Sequence, residues 1–115
     1  MASAGRLRRN ALVRSPLGKY HALVSKRVLD LLPTFFRNRR HELECLRQAL
    51  ASRDFDQLRH LAHRMRGVGG SYGFDHVTTL GREIEQCARQ RDVARIAELL
   101  TEYADYLTNV RIEHA

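Results

Sequence analysis

Residues 54–74 read Asp54-Phe55-Asp56-Gln57-Leu58-Arg59-His60-Leu61-Ala62-His63-Arg64-Met65-Arg66-Gly67-Val68-Gly69-Gly70-Ser71-Tyr72-Gly73-Phe74, and the fold turns on how this stretch is taken. Leu58, Leu61, Met65, Val68 and Tyr72 recur at spacings of three and four, which is the period of a helix with one apolar face. Asp54 followed by Gln57 is a capping pair for its start. Upstream, Asp30 is placed to cap a first helix in which Pro33 falls in the opening turn, with an inner stripe of Phe36, Leu43, Leu46 and Leu50 ending near Arg53. Downstream, Asp75 is placed to cap a third helix with the stripe Val77, Leu80, Ile84, Cys87 and Ala88. Asp92 opens a fourth with Val93, Ile96, Leu100, Tyr103, Leu107 and Val110. From Asp30 onward no stretch alternates as a half-buried strand does. Four helices of about 16 to 22 residues, joined by connections of about 2 to 4, predict an all-α antiparallel up-and-down four-helix bundle.

The chain of 115 residues carries 20 Lys and Arg against 13 Asp and Glu, a formal charge of +7. That sum invites a nucleic-acid or acidic partner. Its distribution narrows the invitation, because the first acid is Asp30 and seven bases precede it: Arg6, Arg8, Arg9, Arg14, Lys19, Lys26 and Arg27. The division expected is an extended, flexible basic arm over residues 1–27 and a near-neutral bundle over 28–115. Cys45 and Cys87 have neither zinc-site nor disulfide spacing and read as ordinary buried thiols. No uncharged run approaches the roughly 20 residues of a membrane-spanning helix. The first 20 residues lack the apolar centre of a secretory signal, and although an Arg-rich, acid-poor start also fits a transit peptide, the expected location is cytoplasmic.

One residue of the second helix stands apart. At about 100° per residue its apolar stripe covers roughly 60° to 80°, and His63 projects about 180° from the stripe's centre. Gly67 and Gly70 follow one and two turns later on the same outer face. An exposed glycine costs a helix about 1 kcal/mol relative to alanine, so four glycines between 67 and 73 ask for a reason. For Gly69 and Gly73 the end of the helix or close packing supplies one; for Gly67 and Gly70 the better account is steric, since they leave the imidazole uncovered for a bulky partner. Arg59 and Arg66 flank His63 and form a rim that attracts anions. Imidazole, with a reference pKa near 6.5, offers a neutral ring nitrogen as nucleophile at neutral pH. Glu85, on the flank of the third helix's stripe, is a candidate acceptor for the other ring nitrogen.

The segment from Leu61 to Phe74, followed by Leu80-Gly81-Arg82-Glu83-Ile84-Glu85, resembles the histidine-containing phosphotransfer (HPt) family. Its motif Ala-His-x-Leu-Lys-Gly is met by Ala62, His63 and Gly67, with Met65 for Leu, Arg66 for Lys and Gly73 for a later glycine. Leu32-Pro33-x-Phe35-Phe36 and Ala49-Leu50-x-x-x-Asp54-Phe55 also look like stand-alone members. The resemblance implies a phosphorelay intermediate of two-component signalling in which His63 takes a phosphoryl group from a receiver-domain aspartyl phosphate and passes it to another receiver. It implies that Arg66 steadies the phosphoryl oxygens and that Gly67 leaves room for docking; Arg59 and Gly70, by their positions on the His63 face, are expected on the same docking surface. Glu85 stands where many members have Gln; a carboxylate accepts from the ring N–H but repels an approaching phosphate if too close. Response-regulator receivers or a hybrid histidine kinase are the partners implied. With no phosphate-binding loop and no acidic cluster near His63, the chain is expected to be a carrier without kinase activity or cofactor of its own, Mg²⁺ coming from the receiver. Two other readings are weaker: a basic helical module that binds nucleic acid or docks without phosphotransfer, and a metal site at His60 and His63, for which no third ligand is evident.

Overall fold

The computed structural model describes residues 20–114 of the chain. Two expected caps are present. The side chains of Asp54 and Asp92 each accept a hydrogen bond at 3.1 Å from the backbone N–H three residues on, of Gln57 and Arg95, opening helices α2 (Phe55–Tyr72) and α4 (Val93–Asn109). The other two caps are corrected. Asp30 lies inside a 3₁₀ segment, Lys26–Leu31, and α1 (Leu32–Ala51) starts after it with Leu31 at the cap and Pro33 in the first turn. Asp75 is the first residue of α3 (Asp75–Arg89) rather than its cap, which is Phe74. There the backbone does the work: Phe74 N–H donates to Gly69 O at 2.8 Å and Val77 N–H to Phe74 O at 3.0 Å, so no side chain is needed.

Each helix buries its stripe in one core, with Leu46, Leu58, Met65, Leu80, Ile84, Ile96 and Tyr103 wholly enclosed. In α1 the inner aromatic is Phe35, stacked on Phe74 with ring centroids 4.7 Å apart, while Phe36 is half-buried and meets Phe74 edge-on at 5.5 Å. The helices pack as a closed ring, α1 against α2 and α4, and α3 against α2 and α4, the neighbour order of an up-and-down bundle. The α1–α4 seam contains a buried polar group: Tyr103 donates to Glu42 Oε1 at 2.9 Å, and Arg39 Nε lies 3.2 Å from the same oxygen. Burial pushes the Glu42 carboxyl above the ordinary carboxylate range, against the pull of Arg39 and the Tyr103 hydrogen bond.

The closest approach is between α2 and α3, and two glycines allow it. A Cβ on Gly69 would stand 2.7 Å from Phe74 O and from Thr78 Oγ1; one on Gly81 would stand 2.8 Å from Ala62 O and from Met65 Cβ. Gly73 ends α2 in the left-handed region, φ 90°, where a side chain would also meet Leu23 O at 2.6 Å.

Two strands lie outside the all-helical expectation. β1 (His21–Val24) pairs in parallel with β2 (Arg111–His114), His21 opposite Arg111 and Val24 opposite His114. Ala22 and Val24 face the core, and the Tyr20 ring contacts those of His76 and Tyr106, each at 5.1 Å. The expected arm of residues 1–27 is therefore corrected at its inner end, because Ala22 and Val24 are buried and Tyr20, Val28 and Leu29 pack partly buried against the core, so this stretch belongs to the domain. Residues 1–19, the remainder of the expected arm, lie outside the described residues.

Candidate functional site

α2 continues through Gly67 and Gly70 to Tyr72, so His63 and the glycines after it share one unbroken helical face. His63 is 70% exposed at its side chain. An alanine Cβ at Gly67 would meet nothing within 4 Å, and one at Gly70 only Thr78 Oγ1 at 3.7 Å, so the surface beside the imidazole is bare.

Gly81 seats α3 against Ala62, Met65 and Arg66, and one turn further along α3 Glu85 reaches the base of His63. The Glu85 side chain is 8% exposed and is shared three ways. Arg66 Nη1 donates to Oε1 at 2.8 Å, Arg89 Nη2 donates to Oε2 at 3.2 Å, and His63 Nδ1 stands 3.5 Å from Oε2. The last distance is an electrostatic contact rather than a full hydrogen bond, and a small ring movement would close it. The hydrogen bond from Arg66, then the charges of Arg66, Arg89 and His63, hold the Glu85 carboxyl below the ordinary carboxylate range in spite of its burial. Two guanidinium charges against one carboxylate leave the cluster positive, which answers the concern that Glu85 would repel an incoming phosphate. With Nδ1 turned to Glu85, Nε2 has no partner among the described residues.

Of the residues singled out from sequence, the structure brings His63, Arg66, Glu85 and Gly67 together. Arg59 is on the same face but spends its charge on Asp56, Nη2 to Oδ1 at 2.7 Å. It lines a shallow groove of about 240 Å³ with Arg89 and Arg91 that begins beside the Glu85 cluster. Arg89 escapes a sequence reading. Its only signal is a position four residues after Glu85, a spacing every helix contains many times over. Cys45 and Cys87 are free and half-buried rather than buried, and desolvation pushes the Cys87 thiol up. Among the described residues no three His, Cys, Asp or Glu side chains gather as a metal site, and no helix is long and apolar enough to cross a membrane.

A closed ring of four helices presenting one exposed, carboxylate-backed imidazole beside bare glycines defines a histidine-bearing bundle. The family model described as Hpt domain matches residues 30–113, and the chain belongs to that family. Comparison with curated proteins and with solved structures finds no match. Hpt domains serve two-component phosphorelays as phosphotransfer carriers rather than kinases, so the class of chemistry is phosphohistidine chemistry with receiver domains and histidine kinases as the class of partner.

Proposed function

We propose that His63 accepts a phosphoryl group on Nε2 from the aspartyl phosphate of a receiver domain and hands it to a second receiver. The carrying observation is the orientation of the ring: Nδ1 toward the buried Glu85 carboxylate at 3.5 Å, Nε2 unpartnered beside bare Gly67. In the forward step the aspartyl oxygen–phosphorus bond breaks, aspartate leaves as carboxylate and the Nε2–phosphorus bond forms. The proton stays on Nδ1, where Glu85 stabilises the positive ring that results. Little else is asked of the protein, since phosphoryl transfer is governed by positioning and electrostatics.

Arg66 engages Glu85 through Nη1 and remains 38% exposed, which leaves other N–H donors for phosphoryl oxygens. Gly67 and Gly70 form the flat ground on which a receiver docks, and the Arg59–Arg89 groove suits acidic side chains around a receiver's phosphorylation site. Mg²⁺ comes with the receiver. The test is incubation of the chain and of a His63→Gln variant with a phosphorylated receiver and Mg²⁺. The expected result is an acid-labile, alkali-stable label on the wild type alone; equal labelling of both, or none of the wild type, refutes the reading.

A further inference from the structure

On the flank of α2 that faces α1, the two helices enclose a groove of about 330 Å³ whose polar lining includes Asn38, Arg39 and Glu42 from α1 and Gln57 and Arg64 from α2. Arg39 carries the argument. Its side chain is only 10% exposed, yet its one carboxylate contact, Nε to Glu42 Oε1 at 3.2 Å, is not aligned as a hydrogen bond, and that oxygen already accepts from Tyr103. The rest of its support is the Phe35 ring, 5.2 Å from the guanidinium carbon. Its Nε is buried with no hydrogen-bond partner, and leaving a buried guanidinium donor without an acceptor is costly. At the rim, Arg64, Asn38 and Gln57 are exposed, and their side chains have no hydrogen-bond or ion-pair partner among the described residues, so their donors are free to turn to a ligand. Glu42 is the one acidic residue in the lining, and the Oε1 that faces Arg39 is already engaged by Tyr103.

We propose that this groove binds a small organic anion through a phosphate or carboxylate group, gripped by Arg39 at the floor and Arg64 at the rim, with Asn38 and Gln57 donating amide N–H groups. Paired guanidinium forks match the oxygens of both groups. The volume is at the lower end of the range for small-ligand pockets, roughly 300 to 1,000 Å³. A protein segment is the poorer occupant, because binding hot spots need apolar anchors and the large exposed hydrophobics, Leu23 and Leu31, are not part of the lining. His63 does not line the groove, so the proposal stands apart from the phosphotransfer reading.

The experiment is an amide-resolved NMR titration of the full chain with pyrophosphate and, in a separate arm, with citrate, ionic strength being held constant with sodium chloride. Saturable shifts are expected at the backbone and side-chain amides of Asn38 and Gln57, and Arg64→Ala, whose spectrum reports whether it folds, should weaken binding about ten-fold or more. Saturation by pyrophosphate alone or by citrate alone supports the site and names the head group; saturation by both supports an oxyanion site of either kind. No saturation by either up to about 10 mM, an Arg64→Ala protein that titrates like the wild type, or shifts centred on Arg59, Arg66 and Arg89 instead would overturn it.

Discussion

Replacing Gly67 or Gly69 by alanine should move stability in opposite directions, although the two residues lie on one helix with only Val68 between them. At Gly67 the added methyl meets nothing within 4 Å, so the change acts through helix propensity alone. An exposed interior glycine costs a helix about 0.8–1 kcal/mol relative to alanine, and Gly67→Ala should recover about that much. For a domain of this size 1 kcal/mol shifts the melting temperature by about 4–8 °C, upward here. At Gly69 the same methyl would sit 2.7 Å from Phe74 O and Thr78 Oγ1 and 2.8 Å from Thr78 N. Two of those atoms are backbone at the turn into α3, and they move only if the two helices separate. With all three of these distances under 3 Å the overpacking cost falls in the upper part of its usual range, about 2–3 kcal/mol, and after the propensity gain Gly69→Ala should be destabilised by about 1–2 kcal/mol. Urea unfolding followed by far-ultraviolet circular dichroism, with thermal melts beside it, measures both. If the two variants shift in the same direction, the assignment of one glycine to open surface and the other to interhelical contact is wrong.

Other consequences follow from the ion pairs and the buried polar seam. Glu85→Gln removes the charge that Arg66 and Arg89 share; because both arginines are partly exposed, the loss at pH 7 should be about 1 kcal/mol. Since the folded carboxyl titrates below its ordinary 4.5, that contribution is complete above 4.5 and drains away as the pH falls through the folded value. Wild-type and variant denaturation curves should accordingly converge in acid; an unchanged gap there would show that the charge is not the cause. Tyr103→Phe leaves the buried Glu42 carboxylate one donor short and should cost about 1–3 kcal/mol, read as a lower urea midpoint at unchanged slope. Val24→Ala removes two buried carbons from β1 and should cost about 2 kcal/mol, a loss that a merely dangling N-terminal segment would not show.

The helices were legible because their signals are local. Asp54 and Asp92 sit three residues before the amides they cap, and the stripes repeat every turn. Asp30 and Asp75 carry the same residue type without the role. At Asp30 the chain enters α1 through a 3₁₀ segment, and at Asp75 the turn after Gly73 satisfies its own backbone. The strands left no trace because each is four residues long and its partner lies at the other end of the domain's sequence; alternation over four residues cannot be told from a helix edge. At the candidate site His63, Gly67 and Glu85 could be found from helical projection, since each is conspicuous for breaking the pattern around it. Gly81 was not visible: a glycine within a buried stripe looks like a defect until the helix pressed against it is known. Arg89 was hidden by how common an i,i+4 spacing is, and the Arg39–Arg64 groove depends on side chains from different helices converging, which one-dimensional spacing does not report.

The β1–β2 pairing joins His21–Val24 to Arg111–His114, and the side-chain contact between His21 and Glu113 that accompanies it spans 92 residues of chain. The α1–α2, α2–α3 and α3–α4 contacts form between neighbours in the chain and the α1–α4 seam closes the ring, but the strand pairing brings together the very ends of the domain, and closing so long a loop has an entropic cost that the folded bundle has already met. The two strands should therefore be the last part of the structure to assemble and the first to open, their amides exchanging with solvent far sooner than those of α2 and α3. Because Leu23 O rests over Gly73, each such opening also uncovers the turn that joins the histidine-bearing helix to the helix that supplies Glu85.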